Sequence, residues 1–333
     1  MRPVTATRLD ELRRAALARG RYAAGQYARR MGSRGTITLA EVRAMRIMLD
    51  RYLNRPEFRA HAETRVETVH ARFQGGQVRG EWVERPGAGP RDAAVLLYVH
   101  GGGFVVGSPL SHRGLTSELS ARTKRPVFSV DYRRAPEHPY PAAVDDVLRA
   151  YAWLLASGMS AEQIVVCGDS AGGHLALGLS PRAHRAGLPV PGGVVALSPV
   201  VDPTMAMSRR WLESNHPKAP LHYTDAGRAL MEPHWRGVAP ADPELLLTND
   251  DLSVMPPVLV QASDAELLTG DAKHYVESLN SVGGKGQLTL YHRRIHVFQV
   301  AHRVSKTASR ALDEIARFVD SLSAIQEPDG PQD

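Results

Sequence analysis

The feature that most constrains this chain is an alternation, from residue 64 onward, of short strand-like runs with longer helical patterns. The first two runs, TRVETVHARF and QVRGEWVER, alternate polar and apolar residues, as the strands of an antiparallel edge hairpin do. Most later runs are continuously apolar, which is typical of parallel strands covered on both faces: AAVLLYV, PVFSVDY, IVVCG, GVVALS, PVLVQAS and GQLTLYH. The pattern predicts an α/β protein with a mostly parallel eight-stranded sheet and helices on both faces.

Two segments do not fit the alternation and are expected to form a helical cap. One is the arginine-rich start, residues 1–60, and the other, about 204–240, is rich in Met, Trp and Pro. In an open α/β sheet, ligands bind beyond the carboxyl ends of the strands, so helices inserted there would cover a site. The chain is therefore divided into an N-terminal cap segment (1–60), a main domain (61–325) that contains the cap insertion, and a disordered tail (326–333).

The positive charge of the chain lies in its first segment. Residues 1–60 hold 14 Arg, no Lys and 5 acidic residues, whereas the whole chain has a net charge of +6. Leu9, Leu12 and Leu17 stand at helical spacing between arginines, which favours a helix docked on the core; a helix on an anionic membrane surface is the alternative. No zinc-finger spacing or aromatic ribonucleoprotein pattern is present, so we expect no nucleic-acid partner.

The location of the protein is inferred from what the sequence lacks. No apolar run reaches the roughly 20 residues of a membrane helix, and no apolar core of a secretory signal stands near the start. Cys167 is the only cysteine, which excludes a disulfide within the chain and fits a reducing compartment. We expect a cytoplasmic protein without membrane association.

A candidate nucleophile stands in the stretch VVCGDSAGGHLAL. An apolar run, the pattern Gly-x-Ser-x-Gly and a helical pattern follow one another there. This context predicts a sharp strand-to-helix turn that exposes the hydroxyl of Ser170. Gly168 and Gly172 keep that turn free of side chains that would collide with its neighbours. A serine that only caps the helix is the alternative.

Three consecutive glycines follow the third run, in LLYVHGGGFVVG. Glycine costs backbone entropy, so such a run implies unusual torsions or a ligand at the backbone. Because this loop is expected beside the serine turn, the N–H groups of Gly101 and Gly102 can point at a substrate oxygen, with the N–H of Ala171 as third donor. His100 is expected to anchor the loop by hydrogen bonds.

A catalytic base is expected after the last strand, and a catalytic acid is expected after the strand before it. LYHRRIHVFQ offers His292, which continues the strand, and His296, which falls in the following loop and can reach back. SDAELLTGD offers Asp264 and Glu266, both of which stay open, while Asp271 fits the first turn of a helix. The His-x-x-x-His spacing lacks the glutamate of zinc peptidases, so no metal is expected.

Together these stretches resemble the bacterial hormone-sensitive-lipase-like esterases, an α/β-hydrolase family with a helical cap. The resemblance rests on HGGGFVVGS, DYRRAPEHPYPAA, GDSAGGHLA, LSPVVDPT, PPVLVQAS and HVFQ, in the family's order from about residue 93 to 299. It implies a cofactor-free serine carboxylic-ester hydrolase whose catalytic domain spans 61–325. Its partner would be a small-molecule ester with a short- to medium-chain acyl group. A homodimer is plausible by resemblance only.

The resemblance also assigns roles. Ser170 would be the nucleophile, His296 the base, and Glu266 rather than Asp264 the acid. The oxyanion donors would be Gly101, Gly102 and Ala171. The positions that support these motifs would be His100, Gly103, Gly168, Asp169 and Gly172.

The chain departs from the family in two places. Arg294 and Ile295 replace the glycine and methionine that relatives often carry before the histidine, and they are expected to shift its loop. Pro181 is expected to shorten or kink the helix after the serine. Two other readings of the same fold stay open, namely a non-hydrolytic small-molecule-binding protein and a lactone hydrolase.

Overall fold

The structure is a computed structural model that describes residue 26 and residues 29–217, 221–239 and 241–324. The predicted helix around Leu9 and the predicted tail (326–333) lie outside the described residues.

One sheet forms the centre of the described chain, and its strands match the eight predicted runs. They are β1 (Arg65–Phe73), β2 (Gly76–Glu84), β3 (Val95–Val99), β4 (Val127–Val130), β5 (Ile164–Asp169), β6 (Gly193–Leu197), β7 (Val258–Ser263) and β8 (Gly286–Tyr291). The strand order is β1-β2-β4-β3-β5-β6-β7-β8. Strand β2 pairs antiparallel with β1 and β4, and the other pairs are parallel. The mostly parallel α/β sheet is confirmed.

Helices cover both faces of the sheet. The α-helices described from residue 39 onward are α1 (Leu39–Leu53), α2 (Pro109–Thr123), α3 (Ala142–Ala156), α4 (Ala171–Arg185), α5 (Ala206–Asn215), α6 (His222–Trp235), α7 (Thr269–Ser281) and α8 (Lys306–Ala324). In β3, Val95, Leu97 and Val99 pack in one core cluster with α3, α4 and α7, while Leu96 and Tyr98 pack in another with α2 and α8. Because successive side chains of a strand point to opposite faces, a strand buried on both faces is apolar throughout.

Helix α4 corrects one prediction. It continues through Pro181 and ends only at Arg185, so the expected shortening is wrong. Proline removes one backbone donor from a helix. Leu179 and Ala183 on either side are buried in the main core cluster, and this packing offsets the missing hydrogen bond.

Both predicted cap segments contain helices in their described parts, and these helices touch each other. Helix α1 begins at a capping box made by Thr38 and Glu41. Val42 of α1 packs in one cluster with Ala226 and Ala229 of α6, from the insertion. Both helices lie over the loop that follows β3, since Val105 and Val106 belong to the same cluster. In the part of the chain described here, no helix has the length and apolar character needed to cross a bilayer.

Candidate active site

Ser170 lies at the turn between β5 and α4, as the Gly-x-Ser-x-Gly pattern predicts. Its backbone has φ 53° and ψ −118°, a strained conformation that non-glycine residues rarely adopt. A Cβ at Gly172 would lie 2.0 Å from the carbonyl oxygen of Val99, so only glycine allows this close approach. The N–H of Ser170 donates to Leu197 O at 2.8 Å, which ties the turn to β6. The turn therefore holds the hydroxyl above the carboxyl ends of the central strands.

His296 reaches this hydroxyl from the loop after β8. Its Nε2 lies 2.9 Å from Ser170 Oγ. Its Nδ1 lies 2.7 Å from Glu266 Oε2, in the loop after β7. The structure thus brings together three side chains that are far apart in the sequence.

The carboxylate of Glu266 is fixed on its other oxygen. Glu266 Oε1 accepts hydrogen bonds from the hydroxyl of Ser198 at 2.8 Å and from the N–H of Ser263 at 2.7 Å. Ser198 follows β6 directly, and its Oγ also accepts from the N–H of Val297 at 3.3 Å. Ser198 was not identified from the sequence, because it comes close to Glu266 only through the pairing of β6 with β7 in the sheet.

The charge of Glu266 changes the acid–base behaviour of His296. Partial desolvation of the ring opposes its charged form, but the hydrogen bond and negative charge of Glu266 outweigh this effect and raise the pKa of His296. Since the carboxylate accepts from Nδ1–H, the Nε2 atom of the neutral ring is left as an acceptor for the Ser170 proton.

His292 and Asp264 form a separate pair. His292 Nδ1 lies 2.8 Å from Asp264 Oδ2, and Asp264 Oδ1 accepts from the N–H of Arg293 at 2.6 Å. This backbone hydrogen bond, followed by the one from His292, lowers the pKa of Asp264. The structure therefore does not bring these two candidates to the serine.

Asp271, the third acid of that stretch, lies in the first turn of α7 as expected and is buried. Burial raises the pKa of Asp271 to about 7. Hydrogen bonds from the N–H groups of Val201 and Asp202 and from the hydroxyl of Ser208 lower this pKa, but burial outweighs them. It contacts neither Ser170 nor His296 by any hydrogen bond in the described residues.

The glycine loop corrects another prediction. The N–H of Gly101 donates to Asp169 Oδ1 at 3.0 Å, so it is engaged by the protein and is not free to meet a substrate oxygen. Gly102 and Gly103 follow with φ of 118° and 60°, values that favour glycine. Among the described residues their N–H groups have no acceptor, and Gly103 lines the cavity at Ser170. The free donors of this loop are therefore one residue later than expected.

His100 anchors the loop as predicted. Its Nδ1 lies 2.9 Å from Gly101 O, and its ring stacks on Tyr132 with the centroids 4.2 Å apart. The hydroxyl of Tyr132 donates to the His100 carbonyl oxygen at 2.8 Å.

A small apolar cavity opens at the serine. It has a volume of about 240 Å³ and is lined by Gly103, Ser170, Val200, Met205, Gly227, Leu230, Met231, Leu267, Leu268 and His296. Met205, Leu230 and Met231 come from the insertion after β6, so this segment closes one side of the cavity. Apart from the catalytic candidates, the described residues that line the walls carry no titratable side chain.

Arg294 and Ile295 are exposed and do not displace His296. The N–H of Arg294 donates to Ser263 Oγ at 2.9 Å, which anchors the loop just before the histidine. The expected shift of this loop is not observed, because His296 still lies 2.9 Å from the hydroxyl of Ser170.

Comparison with known proteins gives a consistent result. The sequence profile of a family described as having the α/β-hydrolase fold matches residues 96–300. An esterase of Acinetobacter venetianus is 34% identical over 246 residues, which is 74% of this chain and 80% of that protein. A carboxylesterase/phospholipase, LipF of Mycobacterium tuberculosis, is 32% identical over 268 residues, 77% of this chain and 70% of that protein.

A solved structure agrees with these sequence relatives. A crystal structure of an esterase from the bacterial hormone-sensitive lipase family superposes with a TM-score of 0.76 at 28% identity, covering 89% of this chain and 97% of that one. The chain therefore belongs to the α/β-hydrolase family, and within it to the carboxylesterase-like enzymes similar to bacterial hormone-sensitive lipases.

Proposed function

We propose that this esterase hydrolyses short- to medium-chain acyl esters through Ser170, His296 and Glu266, with an acyl-enzyme intermediate. The observation that carries the proposal is the unbroken chain of contacts from hydroxyl to imidazole to buried carboxylate, at 2.9 and 2.7 Å. A serine hydroxyl is a weak nucleophile unless an adjacent base can take its proton, and this arrangement supplies the base and the group that orients it.

In the first half of the reaction, Ser170 Oγ attacks the ester carbonyl carbon while His296 Nε2 takes the hydroxyl proton. The negative charge that develops on the carbonyl oxygen is met by the N–H groups of Gly102, Gly103 and Ala171. Ala171 is the first residue of α4, where the helix dipole adds to the effect. The tetrahedral intermediate then collapses, and the imidazolium gives its proton to the departing alcohol.

In the second half, water attacks the acyl-enzyme. His296 takes a proton from the water, and the resulting tetrahedral intermediate expels Ser170, which regains its proton from the imidazolium. The products are a carboxylic acid and the free enzyme. Glu266 accepts the hydrogen bond from Nδ1–H throughout and stabilises the imidazolium of each step.

The cavity supports the choice of substrate. Its volume of about 240 Å³ and its apolar walls fit a short uncharged acyl chain. We assign the cap to residues 1–60 together with about 204–240, since Met205, Leu230 and Met231 of the insertion limit the space at the serine. Homodimer formation and a cytoplasmic location stay predictions.

The test compares the protein with its Ser170→Ala variant on p-nitrophenyl acetate, butyrate and longer esters. We expect turnover to fall by at least a thousandfold in the variant, and to decline as the acyl chain outgrows the cavity. Mass spectrometry after a phosphonate inhibitor should find one adduct, on Ser170. Equal rates for the two proteins, or an adduct elsewhere, would show that the proposed mechanism is wrong.

A further inference from the structure

A buried polar cluster lies beneath the glycine loop, and the proposed reaction does not use it directly. Its centre is Asp169, the residue before the nucleophile. Asp169 Oδ1 accepts from the hydroxyl of Tyr98 at 2.6 Å and from the N–H of Gly101 at 3.0 Å, and it forms an ion pair with His112 Nε2 at 3.4 Å. The side chains of Asp169 and His112 are both buried. Nothing in the sequence patterns above marked His112.

The surroundings of His112 favour its charged form. Its Nε2 faces the carboxylate of Asp169, and its Nδ1 lies 2.9 Å from the hydroxyl of Ser111 and 3.2 Å from the carbonyl oxygen of Ser108. The hydroxyl of Ser111 donates its proton to Ser108 O at 2.8 Å, so toward His112 it acts as an acceptor. A ring that satisfies these partners and the carboxylate carries a proton on each nitrogen. Burial opposes this charge, but Asp169 outweighs it and raises the pKa of His112.

The same cluster sets the direction of the peptide that bears the next donor. The N–H of Gly101 points to Asp169, and the carbonyl oxygen of Gly101 lies 2.9 Å from His100 Nδ1. In a trans peptide the N–H of Gly102 points opposite to that carbonyl, toward the other side of the loop. A Cβ at Gly101 would lie 2.2 Å from Asp169 Oδ2, so the loop and the carboxylate are in close contact. Removing the Asp169 contact would free this peptide to rotate.

We propose that His112 is a positioning residue of this esterase: paired with Asp169, it holds the glycine loop so that Gly102 and Gly103 present their N–H groups to the substrate oxygen. The inference rests on the proposed function, and adds a residue from α2 that touches neither substrate nor Ser170. His112 acts through Asp169, whose charge it balances, and through His100, on which its ring stacks with the centroids 5.6 Å apart.

The titratable groups around His112 come from three other elements. They are Asp169 from β5, Tyr98 from β3 with His100 just after that strand, and Asp50 from α1, whose Oδ1 accepts from the hydroxyl of Ser108 at 2.8 Å. Burial, followed by the charges of His112 and Arg134, lowers the pKa of His100, so His112 carries the positive charge of this histidine pair.

The test uses two substitutions that separate charge and hydrogen bonding from packing. His112→Phe keeps a flat ring against His100 but gives Asp169 no donor, while His112→Gln keeps a donor without the ring or the charge. An error of about one ångström in the placement of reacting groups costs roughly a hundredfold. We expect kcat on p-nitrophenyl butyrate to fall about tenfold to a hundredfold in His112→Phe with KM little changed, and to stay within about threefold of the parent in His112→Gln. His274→Phe, on the exposed side of α7, is the matched control.

The pH profile gives a second readout. Because the pKa of His112 is raised above its ordinary value of 6.5, its charge is present below that pH and is lost as pH rises through the folded value. The neutral ring keeps one N–H donor, so the parent should lose up to about threefold in kcat on the alkaline side and approach the level of His112→Gln, which has no charge to lose and should show no such decline. A profile identical in the two proteins would contradict the proposal.

Hydrogen exchange of the Gly101 amide supplies a readout that needs no activity. We expect faster exchange in His112→Phe and unchanged exchange in His112→Gln, measured together with Tm. The inference is wrong if His112→Phe keeps the parental kcat and exchange rate, or if both variants lose activity equally in proportion to lost Tm. If the parent itself shows no Ser170-dependent turnover, the proposed function fails, whereas the exchange result still decides whether His112 holds the loop.

Discussion

Two histidine–carboxylate pairs stand side by side in this protein, and only one of them meets a serine. The Nδ1–oxygen distance is 2.7 Å for His296 with Glu266 and 2.8 Å for His292 with Asp264. The exposed fractions of the side chains differ far more: 43% and 2% in the first pair, 79% and 38% in the second. A contact distance alone therefore does not identify a catalytic pair.

The difference lies in what holds the second carboxylate oxygen. Glu266 Oε1 is fixed by Ser198 and the N–H of Ser263, inside the protein. Asp264 Oδ1 accepts from the N–H of Arg293, and so stabilises the turn after β8. A buried carboxylate with fixed partners acts on its histidine through a low local dielectric, whereas an exposed ion pair contributes little.

The largest effect that this comparison predicts follows from Glu266→Gln. The amide can donate to His296 Nδ1, which then holds the ring in the tautomer that cannot accept the Ser170 proton on Nε2. We expect kcat on p-nitrophenyl butyrate to fall about a thousandfold to ten-thousandfold, with Tm close to that of the parent. A loss of less than tenfold would mean that Glu266 is not the orienting acid.

A smaller effect is expected for Ser198→Ala, which removes one of the two groups on Glu266 Oε1. Because the N–H of Ser263 remains, the carboxylate should keep its place but lose some of its rigidity. A hydrogen bond to a charged group contributes about 1.5 kcal/mol or more, so we expect kcat to fall about tenfold while KM stays the same. Equal kcat in Ser198→Ala and the parent would show that Ser263 alone is sufficient.

The sequence predicted the sheet and the serine turn because both depend on local patterns. A continuously apolar run such as Val95–Val99 indicates a strand buried on two faces, and two glycines around Ser170 indicate a turn between strand and helix. Each signal lies within about ten residues. The eight strands and the position of Ser170 at the end of β5 could therefore be predicted without coordinates.

The choice of acid and the direction of the loop peptides depend on contacts across the fold. Asp264 and Glu266 lie two residues apart, and only the neighbouring β6, which brings Ser198, distinguishes them. The wrong assignment at Gly101 has the same cause, since its N–H is engaged by Asp169 of another strand. Sequence patterns predict which loop supplies donors, but hydrogen bonding decides which peptides are free.

The pH dependence tests the electrostatic side of the comparison. As a base, His296 must be neutral, so kcat/KM should rise as pH increases through its pKa. Glu266 raises that pKa above the ordinary value of 6.5. In Glu266→Gln the raising influence is lost and desolvation remains, so the acid limb of the residual activity should move to lower pH. A limb that stays in place would mean that the carboxylate does not set the pKa of His296.

The smallest effect is expected for Asp264→Asn, the counterpart of Glu266→Gln in the other pair. The amide oxygen can still accept from the N–H of Arg293, and His292 is exposed, so the turn after β8 should survive. Since an exposed ion pair is screened by solvent, we expect kcat to stay within about threefold of the parent and Tm to change little. Mutating the two acids one at a time, in the same assay, decides between the pairs. If Asp264→Asn lost as much activity as Glu266→Gln, the distinction between the buried pair, His296 with Glu266, and the exposed pair would be wrong. The loop that carries His296 would then depend equally on both carboxylates.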